Sequence, residues 1–295
     1  MRLLPNRCLG ARGSGCRLQL VLPDAWRPLD DLGCRLGSGP HRTARRHLHR
    51  LHVLSGLWFG QPQPHLVTSA TSHTMQVNRT ARWWSLAPDA DRAHGGVLYV
   101  LHGYGQLAEY FIRKFEPQRA AGWTVVAPEG AHRFYLQGTE GRVGASWMTR
   151  EARLDDIADY VNALDALRTK LDPERQGRQV LLGFSQGAAT ALRWAALGQH
   201  GAHSWDGLIA HSGVIPPDLK AMEGELNQAP DLHLIVGSED PYITDHTAQF
   251  KTAEENWKEA SGHPDAVHLH TFKGAHHIDP LTVGRLLDAK VHSAG

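Results

Sequence analysis

Ser185 lies in Gly183-Phe184-Ser185-Gln186-Gly187, after the apolar run Val180-Leu181-Leu182 and before Ala188-Ala189-Thr190. A serine on a sharp strand-to-helix turn projects its Oγ clear of the backbone, and flanking glycines leave room for that turn. The chemistry this permits is acyl transfer, which needs three further parts: a base, a group to orient the base, and donors for the oxyanion. The backbone N–H of Gln186, just after the serine, is one donor candidate. The turn His102-Gly103-Tyr104-Gly105-Gln106 offers a second at the Tyr104 amide. Gly237-Ser238-Glu239-Asp240-Pro241 supplies the acid, taken as Asp240, with Glu239 second and Asp245 third. Gly274-Ala275-His276-His277 supplies the base, taken as His276, with His277 as its rival. Each feature has a plainer reading. Ser185 or a carboxylate could simply cap a helix. Gly103-Tyr104-Gly105 could open a dinucleotide loop, but the third glycine is missing where Ala108 precedes Glu109.

These residues need elements to position them. Short runs rich in apolar and β-branched residues cover 96–101, 123–128, 179–184, 207–211, 232–236 and 267–272, and residues 76–86 read as an extended opening strand. Such runs suit strands buried on both faces of a mostly parallel sheet. Residues 153–171 read as a helix, with Leu154, Ile157, Val161, Leu164, Leu167 and Leu171 on one stripe. Asp155, Asp156, Asp159 and Asp165 lie away from it. Residues 244–260 and 280–291 also read as helical, and 130–151 as a loop. The alternation predicts an α/β fold, a doubly wound, mostly parallel sheet with right-handed crossovers.

Composition separates the first 74 residues from the rest. They hold no Lys, Glu, Ile or Tyr, whereas the other 221 hold 32 of these. Ten Arg against three Asp give the segment +7, while the remainder carries 21 basic and 27 acidic residues, hence −6. Upstream DNA translated from a start placed before Met75 would read this way; an organelle-targeting segment or a disordered arm are the alternatives. A secretory signal fits poorly, because Arg17, Asp24 and Arg27 interrupt any apolar stretch. The basic run 42–52 reads as solvated rather than as a nucleic-acid or metal site. Residues 75–295 are the expected catalytic domain. They contain no cysteine, so a reducing cytoplasm would suit them. No run nears the roughly 18 apolar residues of a membrane span.

Together these motifs resemble the α/β-hydrolase superfamily, and within it the small serine esterases of the phospholipase/carboxylesterase family, which includes acyl-protein thioesterases. The resemblance covers about residues 76–291. It rests on Leu101-His102-Gly103-Tyr104-Gly105, Ser146-Trp147, Gly183-Phe184-Ser185-Gln186-Gly187, and Gly237-Ser238-Glu239-Asp240 with Gly274-Ala275-His276. It implies a fold without a cap domain, and hydrolysis of esters or thioesters through an acyl-enzyme with no metal or organic cofactor. By position, Ser185 is the nucleophile, His276 the base, Asp240 its orienter, and Tyr104 and Gln186 the oxyanion donors. The family's start near Met75 agrees with a misplaced upstream start. Two stretches depart from the thioesterase pattern: Gly103-Tyr104-Gly105-Gln106, where a leucine and an aspartate are usual, and segment 130–151.

That segment is the expected pocket wall, with Phe134, Tyr135, Trp147 and Met148 as apolar candidates and Tyr242 bordering the acid loop. No insertion long enough for a cap lies between 213 and 231, which predicts an open cleft. His268 and His270 share a strand face, but two ligands complete no metal set, and they read as surface histidines. The expected partner is a small-molecule ester, without nucleic acid or stable membrane insertion. The competing functions are a non-catalytic hydrolase-fold binding protein, and a peptidase or haloperoxidase using the same triad.

Overall fold

Apolar stretches that must hide both faces pair here into one sheet. The computed structural model describes residues 70–93, 96–172, 174, 177–221, 226, 228–243, 245–263 and 265–289. The expectations for residues 1–69 lie outside the described residues. The chain divides into two units, Met1–Val77 and Asn78–Gly295. In the first, the described residues 70–77 form no helix or strand.

The second unit carries the strands β1 (Trp83–Leu86), β2 (Val97–Leu101), β3 (Thr124–Pro128), β4 (His132–Gln137), β5 (Glu140–Ser146), β6 (Gln179–Phe184), β7 (Gly207–His211), β8 (Leu232–Gly237) and β9 (Val267–Phe272). Its helices are α1 (Ala108–Phe111), α2 (Glu116–Ala120), α3 (Arg153–Leu171), α4 (Gln186–Leu197), α5 (His246–Ser261) and α6 (Pro280–Ala289). Seven strands form the main sheet in the order β1-β3-β2-β6-β7-β8-β9. All neighbours are parallel except β1, which pairs antiparallel with β3 at one edge.

The sheet is covered on both faces, which is why its central strands carry apolar residues without alternation. From β2, Tyr99 and Leu101 enter one core layer, and Leu98 and Val100 the other. The first layer is completed by Leu164 of α3, Leu192 and Trp194 of α4, and Trp257 of α5; the second by Phe111, Phe115, and Val283 and Leu287 of α6. Trp194 and Trp205 each meet Tyr99 edge-on, with centroids 5.6 Å apart. Such pairs add about 0.5–1.5 kcal/mol beyond their buried area.

Three expectations are corrected. The opening strand is limited to β1: its register ends with Trp83 opposite Pro128, the last residue of β3. Residues 76–82 belong to no strand. In α3 the buried stripe is rotated. Leu154 is 73% exposed, while Asp165 is buried and accepts hydrogen bonds from the Trp194 indole (2.8 Å) and the Gln199 amide (2.8 Å). A carboxylate with two donors can replace an apolar residue there. Segment 130–151 is not a loop throughout. β4 and β5 form a separate antiparallel hairpin, whose largely exposed surface gives it no apolar period to read. Among the described residues, no helix is long and apolar enough to cross a membrane.

Candidate active site

β6 ends at Phe184 and α4 begins at Gln186, so Ser185 makes the turn alone. Its φ of 55° and ψ of −118° are ones that side-chain-bearing residues avoid. The conformation persists because its surroundings dictate it. The Ser185 amide donates to the His211 carbonyl at the end of β7 (2.9 Å), and the Ser185 carbonyl accepts from Ala188 (3.0 Å). A Cβ on Gly187 would strike the carbonyl oxygens of Leu101 and His102, and one on Gly183 the Gly187 carbonyl. Strand, helix and the turn after β2 therefore meet backbone to backbone, which only glycine permits.

The turn after β2 abuts this elbow: a Cβ on Gly103 would lie 3.1 Å from the Ser185 Cβ. Its amides are mostly committed. Gly103 donates to the Gln106 side chain (2.9 Å), Gly105 to the Ala145 carbonyl (2.8 Å) and Gln106 to the Gly103 carbonyl (3.2 Å). The Tyr104 amide donates to none of these acceptors.

Asp240 and His276 follow β8 and β9. Their loops are laced together by the Ser238 amide on the Phe272 carbonyl and the Glu239 amide on the Gly274 carbonyl, each at 2.8 Å. His276 Nδ1 lies 2.8 Å from Asp240 Oδ2. The Asp240 side chain is fully buried and that of His276 is 19% exposed. Burial alone would push the Asp240 carboxyl up. The His276 hydrogen bond, the Tyr242 amide on Oδ1 (3.0 Å) and the Ser212 hydroxyl outweigh it, holding the carboxyl below its ordinary range. The His276 ring packs between Tyr242 (4.7 Å) and Phe184 (4.9 Å), one residue before Ser185. Of the rivals, Glu239 is exposed. Asp245 caps α5 by accepting from Ala248 (2.9 Å). His277 is exposed, with its ring on Phe272.

The Gln186 side chain has a use that the motif did not announce. Its Oε1 accepts from the Trp147 amide (3.1 Å), and its Nε2 donates to the Met148 carbonyl (3.0 Å) and the Ser146 hydroxyl (3.1 Å). It clamps the end of the hairpin to the elbow. His102, wholly buried, makes a second clamp. Gly130 donates to its Nε2 (2.9 Å), so its proton sits on Nδ1, facing the Gly103 carbonyl at 2.8 Å. Burial, opposed only by that carbonyl, lowers its pKa to about 4.

The pocket candidates separate. Trp147, expected in the wall, is 2% exposed. Its indole donates to the His102 carbonyl (2.8 Å) and stacks on the His102 ring. It is packed beneath the turn because a buried indole N–H needs that acceptor. Met148 is half-buried against the core, with its sulfur 3.6 Å from Arg193. Phe134 is half-buried and packs on Tyr104 (5.2 Å). Tyr135 and Tyr242 are exposed. His268 bonds Asp231 (3.0 Å) and His270 bonds His233 (3.1 Å). Among the described residues, no group of three or more His, Cys, Asp or Glu could hold a metal ion.

Two residues at the end of β7 escaped the sequence reading. His211 accepts at Nε2 from the Asp279 amide (2.9 Å), and its Nδ1 lies 3.2 Å from the Ser212 hydroxyl. Ser212, at φ 49°, donates its amide to the Ile235 carbonyl of β8 (2.7 Å). Their one signal is polarity at the carboxyl end of a fully buried strand.

The family model described as phospholipase/carboxylesterase matches residues 87–288. A search of the curated proteins matched none. Among solved structures, esterase PE8 is 23% identical with a TM-score of 0.55, covering 72% of this chain and 100% of its own. Acyl-protein thioesterase 2 from Zea mays is 17% identical with a TM-score of 0.55, covering 73% of this chain and 100% of its own. A carboxylesterase from Mesorhizobium loti is 15% identical with a TM-score of 0.53, covering 72% of this chain and 95% of its own. At these identities the likeness is one of fold.

Proposed function

The chain belongs to the phospholipase/carboxylesterase family, and on that premise we propose that it is a serine hydrolase. It cleaves carboxylic esters of small or acyl substrates, with thioesters as the second substrate class. The observation that carries this reading is the 2.8 Å bond from the buried Asp240 to His276, at the same end of the sheet as the strained Ser185. With Nδ1–H directed at Asp240, Nε2 of His276 is left as the base.

As Ser185 Oγ bonds the acyl carbon, Nε2 takes its proton, and the carbonyl π-electrons move onto oxygen. The Tyr104 and Gln186 amides receive that oxyanion. The bond to the leaving oxygen or sulfur then breaks, the leaving group takes the proton from His276, and the acyl group remains on Ser185. Water attacks with His276 again as base, the carboxylic acid departs, and Ser185 regains its proton. Asp240 stays ionised throughout and stabilises the imidazolium. The ring of Phe134 beside Tyr104 and the exposed Tyr242 over His276 suit an apolar group on either side of the ester.

The test is a series of p-nitrophenyl esters of increasing acyl length, beside thioesters of the same acids, with Ser185→Ala as control. Saturable turnover by the wild type that the variant loses is expected. Equal turnover by both would overturn the reading.

A further inference from the structure

Of the four amides from Gly103 to Gln106, three have acceptors among the described residues and that of Tyr104 has none. Gln106 organises the other three. Its side chain folds back within the turn, where Oε1 accepts from the Gly103 amide (2.9 Å), and its own amide donates to the Gly103 carbonyl (3.2 Å). Gly105, at φ 75°, makes the reversal between them. The outer side of the turn is stitched to β5. Gly105 donates to the Ala145 carbonyl (2.8 Å), and Ala145 donates to the Gln106 carbonyl (3.0 Å), an antiparallel bridge between Gln106 and Ala145. Gly144 makes room for it: a Cβ there would lie 2.4 Å from the Gly105 carbonyl oxygen.

The same strip of chain continues to the elbow. The Gln186 side chain accepts from the Trp147 amide (3.1 Å) and donates to the Met148 carbonyl (3.0 Å) and the Ser146 hydroxyl (3.1 Å). The main-chain amide of that residue is the other proposed oxyanion donor. The Trp147 indole, on the His102 carbonyl (2.8 Å), ties the strip back to the residue before Gly103. Residues 144–148 thus touch the turn bearing Tyr104 on one side and the helix start bearing Gln186 on the other. Ala145, Ser146 and Trp147 are buried, so water does not compete for these bonds. Two amides that must converge on one oxygen are held by a single run of backbone, and such preorganisation is what gives oxyanion donors their worth.

We propose that Gln106, with Gly144 behind it, is a positioning residue. Its side chain locks the turn after β2 onto β5, and β5, gripped by the Gln186 side chain, holds the Tyr104 amide in register with the Gln186 amide. The proposal rests on the serine-hydrolase reading and names what fixes its oxyanion donors.

The test uses the full chain with two variants. Gln106→Met keeps the length of the side chain and removes its acceptor; Gly144→Ala leaves Gln106 intact and presses on Gly105. Hydrolysis of p-nitrophenyl esters is measured per fluorophosphonate-reactive site. A trifluoromethyl ketone reports on the donors, because its adduct with a serine carries an oxyanion. Deleting one such donor costs about 10²–10³-fold, and displacing it costs less. Each variant should lose on the order of tenfold in kcat with KM unchanged, and should bind the ketone more weakly by the factor that kcat/KM falls. Unchanged kcat and ketone affinity in Gln106→Met overturn the brace, and so does a lower kcat with ketone affinity unmoved. If a thermal melt shows Gln106→Met unfolded, Gly144→Ala decides by the same two outcomes. A wild type that neither hydrolyses esters nor binds the ketone refutes the serine-hydrolase reading and the brace with it, whereas variants that match an active wild type refute the brace alone.

Discussion

Ser185 is held at φ 55° by contacts on both sides, a conformation that costs about 1–3 kcal/mol in a residue with a Cβ. Glycine occupies it freely. Ser185→Gly should therefore stabilise the fold by about 1 kcal/mol, once the flexibility of glycine in the unfolded chain is subtracted, and so raise the melting temperature. The same variant should lose ester turnover by on the order of 10³-fold or more. Thermal melts and initial rates on one preparation check both, and lower stability would contradict the account of the strain. The acid is tested by contrast. Asp240 is buried on His276, and Glu239 beside it is exposed. Asp240→Asn should cost on the order of 10²-fold or more in kcat, because the imidazole loses its charged partner, while Glu239→Gln should change kcat little. The reverse ranking in steady-state kinetics would place the acid at Glu239.

Two clamps join the elements around the site: the Gln186 side chain on residues 146–148 and the His102 ring on Gly130. The second titrates. The folded-state pKa of His102, about 4, lies below the ordinary value near 6.5. The unfolded chain then binds the proton more readily, and the clamp's contribution is whole above about pH 6.5 and lost as pH falls through about 4. That contribution is on the order of 3 kcal/mol. Denaturant titrations across this window should show stability falling with pH, and less steeply in His102→Gln, whose amide oxygen can take the Gly130 hydrogen bond without titrating. Parallel curves would refute the assignment. These clamps also mark how far the sequence could be read. The bounds of strands β6 and β7 were legible to the residue, since burial on both faces of a sheet leaves a dense apolar signature. The hairpin was not, because an exposed ladder has no such signature. Trp147 was read as pocket because an aromatic in a loop looks the same whether it faces a ligand or the core. Asp240 could be proposed from its place after a strand, but the buried ring of His211 could not be placed, since its Asp279 partner is distant in sequence.

At the scale of the molecule, each residue proposed to act on the acyl group follows the carboxyl end of a strand of the main sheet. Tyr104 follows β2, Ser185 β6, Asp240 β8 and His276 β9. A parallel sheet brings those ends to one edge, where loops can specialise without disturbing the core. All of these residues lie within Asn78–Gly295. The central claim is that this convergence activates one serine. The most direct measurement is the intact mass of the full chain after exposure to a fluorophosphonate, beside Ser185→Ala. The account predicts a single adduct on the wild type and none on the variant. A wild type that stays unmodified while its thermal melt shows it folded, or a variant that takes the same adduct, would contradict it.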